Sequence, residues 1–595
     1  MKRSFYLLFL LFGTFSFAQI NTNDYDFFVQ YNGDQLSQKV SVTDVLNHSL
    51  LKSFDKKKEV FTIKELDAVL NLNQNVTFYG NFTDSISFTQ VTIPLKNSEL
   101  LKEILLRKKE SKDSTANEQI TEIIEFENFS MVKSDSLGKK GTIAWNKDYM
   151  VIFEITNRLN YTDYISVAPP LPAPSDESPV IIEDGFENTA EDNDFEETDQ
   201  SYNSYLTKKA TFEKQQTESQ EEFVKSLFDK GFVAPYSDKI NAKADISAWV
   251  NYSSFLESTK KMYGALSALS SLNNYFPKQY QFGDFVKGIN LNAYFDNDNV
   301  RLEETIEYNE EMAKIMQKIT NRKINKKVYS YFPTQKPLAY LSYHLNTKEI
   351  LTSVPSFTNQ IFGGKSEFKE DVTLIMDLIT TLVDEEATST LFDGDFSLFF
   401  QDMTNKEVTK KTFEYDENYE RKEVEKTTTK SIPLFSMVFT STHPTFGDKL
   451  INLGIRKGFL KADGDLYYFT KTSEYGAVFV LKDKDVIVIG NISDDFNGKS
   501  NADFAKDVKR ELKKNSLMGA VDFEELAKVY QNEQSNKQSA DNDKYIKLSH
   551  HFNSLEMHSP KKLKKNTFSF DMQLNSTQKD KNIILQFLDA VQEMK

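Results

Sequence analysis

Six histidines and no cysteine limit the chemistry open to this 595-residue chain. Without cysteine there is no disulfide, no thiolate-held zinc, no iron–sulfur cluster and no thiol nucleophile. The histidines are His48, His344, His443, His550, His551 and His558. Three of them, His550, His551 and His558, fall near Glu556 and are of the types that ligate metals. A zinc site needs three or four such ligands converging tetrahedrally. Along an extended strand His551 and His558 stand roughly 23 Å apart, so they meet only if the segment folds back. Asp296-Asn297-Asp298-Asn299 opens like a calcium loop, but Val300 and Arg301 stand where a further ligand and the turn glycine belong, so a hairpin turn is expected. Gly364-Lys365-Ser366 and Gly498-Lys499-Ser500 match the end of a phosphate-binding loop. The glycine required five residues earlier is Asn359 in one and Ser493 in the other, which leaves two surface loops. Neither a Gly-x-Ser-x-Gly elbow nor a His-Glu-x-x-His helix occurs. No catalytic, cofactor-binding or metal-binding residue is assigned on this reading, and no cofactor is expected.

The elements that would have to position any site are short strands and amphipathic helices. Gly141–Ile155 (GTIAWNKDYMVIFEI) and Gly476–Gly490 (GAVFVLKDKDVIVIG) share a plan: an opening Gly, an apolar run, a Lys-Asp pair six and seven residues on, and a second apolar run. Each predicts a β-hairpin. Around the first, the spacing predicts strands at 26–31, 76–82 and 86–95 and helices over 42–54, 62–72 and 98–106. Thr62 and Glu65 have the capping-box spacing. The order recurs from Pro337: a strand at 338–345, helices from Thr347 and over 372–383, strands at 396–400 and 432–440, and a helix over 446–455 with Leu450 and Leu453 on its buried face. Between them, 402–430 is rich in Lys, Glu and Thr and reads as an exposed hairpin arm. Ile246–Tyr252, leading into an Ala- and Leu-rich helix that ends near Asn274, with the alternating hairpin 288–308, is echoed by 517–522, 554–574 and a helix over 583–594.

Lys2 and Arg3 precede an apolar run from Phe5 to Phe17 that is too short to span a bilayer, and small residues stand at Ser16 and Ala18. This pattern predicts a secretory signal peptide cleaved after Ala18. Five prolines between Pro169 and Pro179, then eleven acidic and no basic residues from Asp176 to Asp199, predict a flexible acidic linker. The expected organisation is a signal peptide (1–18), module A (19–165), the linker (166–200), a connecting helix (201–230), module B (231–330), module A-prime (331–492, with the arm 402–430) and module B-prime (493–595). The fold class is α+β, with duplicated modules of antiparallel sheet and helices packed on one face. The duplication rests on the ordered match of 26–155 with 338–489.

The signal ending in Phe-Ala-Gln, the strand–helix–hairpin order around GTIAWNKDYMVIF and the C-terminal NTFSFDMQLN…ILQFLDAV resemble a family of large exported Bacteroidota proteins of unknown function. Asp84-Ser85-Ile86, Asp113-Ser114-Thr115 and Asp135-Ser136-Leu137 also resemble the O-glycosylation tripeptide of exported Bacteroidota proteins. The family resemblance implies envelope localisation and duplicated α+β modules. Many members look like lipoproteins, and this chain departs from them in lacking the acceptor cysteine.

A formal charge of −16 argues against a nucleic-acid partner. The 48 Phe are enough for sizeable cores. The function expected is that of a soluble periplasmic protein, without membrane insertion, that binds or scaffolds another envelope macromolecule, a protein or a glycan; an outer-surface location is the second possibility. The alternative function is a periplasmic carrier that holds an apolar ligand between helices and sheet, and an envelope hydrolase comes third. A concave, largely apolar cavity with a few convergent polar groups would favour the carrier, a filled core with flat exposed faces the macromolecule-binding module, and a cleft holding perturbed His or carboxylates the enzyme.

Overall fold

The computed structural model describes residues 25–54, 62–81, 88–110, 118–136, 139–155, 194–232, 239–252, 254, 285–362, 369–382, 384–415, 420–470, 476–498, 500, 503–533 and 540–594. The signal stretch 1–18, the linker up to residue 193, the Ala- and Leu-rich helix expected up to Asn274, and Gly364–Ser366 lie outside the described residues. The chain forms two compact units. One holds residues up to Phe28 together with Lys57–Ser237, and the other holds Val29–Lys56 together with Asp238–Lys595.

Chain order in the first unit begins with the start of β1 (Phe27–Tyr31), helix α1 (Ile63–Val69), β2 (Val76–Asn81), β3 (Phe88–Pro94) and helix α2 (Ser98–Glu110). Strands β4 (Glu118–Glu125), β5 (Ser130–Ser136), β6 (Lys139–Trp145) and β7 (Tyr149–Ile155) follow, then helix α3 (Asp194–Lys230). The capping box is formed as the spacing predicts: Glu65 N–H donates to Thr62 Oγ1 at 3.2 Å and Thr62 N–H donates to the Glu65 carboxylate at 2.9 Å. Antiparallel pairing sets the order β2-β3-β7-β6-β5-β4. The β6–β7 hairpin turns where Asn146 Oδ1 accepts from the amides of Asp148 and Tyr149, at 2.9 and 2.8 Å. Helix α2 buries Leu101, Ile104 and Leu105, the apolar face its spacing predicts. The stretch read as a connecting helix packs as α3 on this sheet. Its Phe223 ring lies 4.9 Å from both Phe88 and Phe153, and Phe228 stacks on Phe129 at 4.6 Å.

The second unit contains β8 (Ile246–Asn251), β9 (Val286–Phe295), β10 (Asn299–Tyr308), helix α4 (Glu310–Thr320), a 3-10 turn (Lys326–Tyr331) and β11 (Ala339–His344). Helices α5 (Thr347–Phe362), α6 (Lys369–Leu382) and α7 (Glu385–Leu391) lead to β12 (Asp395–Tyr415), β13 (Arg421–Thr440) and helix α8 (Phe446–Arg456). Strands β14 (Leu460–Asp463), β15 (Leu466–Phe469), β16 (Phe479–Asp483) and β17 (Val486–Gly490) precede helix α9 (Asp503–Leu512) and β18 (Asn515–Asp522). Helices α10 (Phe523–Glu533) and α11 (Ala540–His551), strands β19 (Phe552–Pro560) and β20 (Thr567–Ser576) and helix α12 (Ile583–Met594) complete it. Neighbours pair antiparallel in the order β8-β9-β10-β20-β19-β18-β11-β12-β13-β17-β16-β15-β14.

Because strand side chains alternate between faces, the registers sort this sheet into two surfaces. One carries Phe399, Val438, Val486 and Val488, which pack with Phe332 and Tyr329 of the 3-10 segment and Val508 and Leu512 of α9. On the other, Phe295, Val300 and Leu574 pack against Ile583 and Ala590 of α12 and Phe523 of α10. Helices therefore lie on both faces of this sheet, where one was expected. The arm forms as its charge pattern predicts: β12 and β13 stay paired to Tyr415 and Arg421, tied by Lys411–Glu423 at 2.6 Å and by the Arg421 guanidinium 3.6 Å over the Phe413 ring.

Candidate functional site

The sequence-level candidates do not converge. His550 and His551 end α11 beside Glu593 of α12, with His551 Nε2 at 2.9 Å from its carboxylate. His558 lies on β19 and faces Asp571 of β20 at 3.3 Å. Glu556 is exposed on β19 opposite Gln573. Among the described residues no cluster of three or more His, Asp or Glu could hold a metal. Asp296–Asn299 is the hairpin turn expected, with Asp296 N–H donating to Asn299 O at 2.9 Å. Its acidic end is answered by Lys39, whose ammonium sits 2.9 Å from both Asp296 and Asp245. Gly498 adopts a left-handed conformation, φ 64°, and Ser500 N–H donates to Ser330 O at 3.0 Å. Ser500 borders a cavity of about 580 Å³ whose lining includes Asp494 and Asp495. The Ser500 amide is thus already used, and two acids stand beside it.

What the sequence reading missed is a buried polar array on β11 and β12. His344 Nδ1 is 2.8 Å from Asp395 Oδ1, and His344 Nε2 is 3.2 Å from Ser342 Oγ. Ser342 Oγ lies 2.6 Å from Ser397 Oγ. Asp395 also accepts from Arg322 Nε at 3.0 Å and Asn325 N–H at 3.0 Å, while Arg322 reaches Asp393 at 2.6 Å. Burial alone would raise the Asp395 pKa, but His344 and Arg322 hold it down to about 2. Burial pushes His344 down despite Asp395, aided by the nearby positive charges of Lys561 and Arg322. The imidazole is thus neutral beside a charged carboxylate. The connectivity matches a Ser-His-Asp triad, yet Ser342, His344 and Asp395 are all 0% exposed. In this packing Ser342 Oγ is enclosed, and the array cross-links β11, β12 and the Arg322 segment. The available signal was the i, i+2 placement of Ser342 with His344 and of Asp395 with Ser397, which puts four polar residues on one face of two adjacent strands.

The opposite face of the same strands is apolar and half open. One cross-strand row runs Ala293, Leu302, Met572, Met557, Gly519, Leu341, Leu398, Met437 and Ile489. Leu341 is 37% and Leu398 39% exposed, and Leu291 in the adjoining row is 41% exposed. Phe570, Tyr343, Phe396 and Phe439 in that adjoining row are only partly buried. Across β9, β10, β19 and β20, the charged residues on this face by alternation are Glu304 and, beside the bulge at the start of β9, Lys287. Unbranched, polarisable Met side chains adapt to irregular apolar guests. Helix α6, which packs on α5, leaves Leu374, Ile375, Leu378 and Ile379 exposed, from 45% to 63%. Exposed apolar residues grouped in this way mark interaction surface in a folded protein.

No family model matches the chain, and no curated protein matches it. Among solved structures it is similar to crystal forms of TP0453. Crystal form IV is 9% identical, with a TM-score of 0.21 over 48% of this chain and 77% of that one. Crystal form I is 10% identical, with a TM-score of 0.20 over 51% of this chain and 78% of that one. Likeness at this level carries no argument about fold or function. Among the described residues no helix is long and apolar enough to cross a membrane.

Proposed function

We propose that this is an exported, periplasmic binding protein of the cell envelope, built from duplicated modules, that holds the acyl chain of an amphiphile on the Met-lined face of its second unit. One observation carries the reading: the two faces of a single sheet are treated differently. Phe399 and Val438 are 0% and 1% exposed under their covering elements, while Leu398, next in chain to Phe399, is 39% exposed among Met and Leu neighbours. A row of this kind, with few polar groups, fits an alkyl chain better than a glycan, which needs converging hydrogen-bond partners. The sealed Ser342–His344–Asp395 array supports binding over hydrolysis.

The duplication is supported by strand order. The run β2-β3-β7-β6-β5-β4, with α2 between its second and third strands in sequence, has the same order as β12-β13-β17-β16-β15-β14 with α8 there. Likewise β8-β9-β10 followed by α4 parallels β18-β19-β20 followed by α12, and β10 pairs with β20 about the facing residues Glu303 and Asp571.

The test is titration of a fluorescent long-chain fatty acid into the full chain, with the double variant Leu341→Lys/Leu398→Lys as comparison. Both positions are exposed enough for the variant to fold, which circular dichroism checks. Saturable binding by the parent chain and at least a tenfold loss in the variant are expected. Equal binding by both, or none by the parent, would sink the assignment.

A further inference from the structure

Helix α8 is packed inside out. It turns its glycines to the sheet: a methyl on Gly454 would come within 2.7 Å of Leu460 Cδ1, and one on Gly447 within 3.0 Å of Lys482 Cε. The i, i+4, i+7 stripe of Phe446, Leu450 and Leu453 lies about 90° round the helix from the glycines and stays in solvent, at 38%, 50% and 42% exposure. That reverses the expectation that Leu450 and Leu453 are buried. The physical reason is that close helix–strand approach at Gly447 and Gly454 settles which side faces inward, and the large side chains take the remaining side. Past Gly458, φ 70°, Phe459 is 57% exposed, with its backbone fixed by bonds to Gly454 O at 2.8 Å and from Thr470 N–H at 3.0 Å.

The charges beside this stripe run against the molecule as a whole. Lys449 and Arg456 line one flank of α8, and Lys457 and Lys461 follow its C-terminal end; all four are exposed. The one acid on the helix, Asp448, is paired with Lys482 at 3.0 Å. In a chain of net charge −16, this lobe presents an exposed apolar stripe with cations along one flank and at the helix end, and its two unpaired acids, Asp463 and Asp465, stand at the β14–β15 turn. An amphipathic helix with that division lies in the interface of an anionic bilayer, its apolar face among the upper acyl segments and its cations at the headgroups.

We propose that the α8–β15 lobe (residues 446–469) is a peripheral docking surface for anionic lipid bilayers. Phe446, Leu450, Leu453 and Phe459 enter to interfacial depth, and Lys449, Arg456 and Lys457 contact the headgroup phosphates. This proposal and the acyl-binding reading are tested by different substitutions and different ligands, so they stand or fall separately.

The experiment is co-flotation of the purified full chain with phosphatidylcholine vesicles, with and without phosphatidylglycerol. The parent chain floats with the anionic vesicles and far less with the neutral ones. Leu450→Asp/Leu453→Asp abolishes flotation. Lys449→Gln/Arg456→Gln/Lys457→Gln weakens binding to anionic vesicles about fivefold per lost charge and leaves neutral vesicles unaffected. All substituted side chains are exposed, so thermal melts and fatty-acid binding stay at parent values, which separates lost docking from lost fold. Absence of the parent from both vesicle types overturns the proposal, as does equal flotation of parent and variants. So does a concentration-dependent dimer that Leu450→Asp/Leu453→Asp dissolves, since a second copy would then cover the stripe.

Discussion

Replacing Asp395 by alanine tests whether the buried array is bracing or catalytic machinery. The side chain is 1% exposed and receives His344 Nδ1, Arg322 Nε and Asn325 N–H. Its removal leaves the His344 and Asn325 donors with no partner and Arg322 with Asp393 alone. Breaking one side of a buried charged pair costs about 3–5 kcal/mol, and each stranded buried donor lies in the range of about 1–3 kcal/mol. A loss of about 4 kcal/mol in the second unit is therefore expected for Asp395→Ala, and roughly half that for Asp395→Asn, which keeps the shape. Trp145 lies in the first unit and Trp249 in the second, so urea melts followed by Trp249 fluorescence in a Trp145→Phe background report the second unit alone. The pH course adds an independent check. The folded pKa of His344 lies below its ordinary 6.5, so below pH 6.5 the unfolded chain takes up a proton that the folded chain refuses, and stability falls as pH falls. Asp395 is depressed from 3.8 to about 2, so its contribution is present above pH 3.8 and is lost on acidification through that interval. His344→Gln should flatten the first part of this fall. A loss under about 1 kcal/mol for Asp395→Ala, where a stranded buried donor alone should cost that much, would refute the bracing argument. So would labelling of Ser342 by a serine-reactive phosphonate in the folded chain.

Two further outcomes follow from packing. Phe223→Ala removes the ring between Phe88 and Phe153 and should destabilise the first unit by about 3–5 kcal/mol, read by Trp145 fluorescence in a Trp249→Phe background. Gly394→Ala would place a methyl 1.8 Å from Leu345 O at φ +106°, and should cost more than about 2 kcal/mol, read by Trp249 in the same urea melts.

Local chemistry was legible wherever a signal was contained within a few residues. The Thr62–Glu65 box, the turn at 296–299, the charged arm and the buried face of α2 each depend on propensity or alternation over one element, and each formed as read. The helix α8 was misread because periodicity shows that a helix has an apolar stripe and does not show which side a sheet will accept. That choice lay with Gly447 and Gly454, which look like weak points in a helix and serve as the contact surface. The array at Ser342, His344, Asp395 and Arg322 was illegible for a different reason. Its members are separated by up to 73 residues and meet only through the β11–β12 register.

The same register argument explains why the apolar face escaped notice in the sequence. Strands such as FSLFF (396–400) and FSMVF (435–439) place apolar residues on both sides of the sheet, the composition expected of a strand buried twice. Read alone, they call for a second cover. The structure supplies that cover over Phe399 and Val438, and leaves Leu398 and Leu341 half exposed. A core residue left short of neighbours forgoes burial worth roughly 25 cal/mol per Å² of apolar surface, so a row of them costs stability unless a guest completes it. On the acyl-binding proposal, the row is one side of a core whose other side is an acyl chain. That account makes a thermodynamic demand: the guest must bind the folded unit and not the unfolded chain, and so raise its unfolding midpoint in proportion to the logarithm of ligand concentration above Kd.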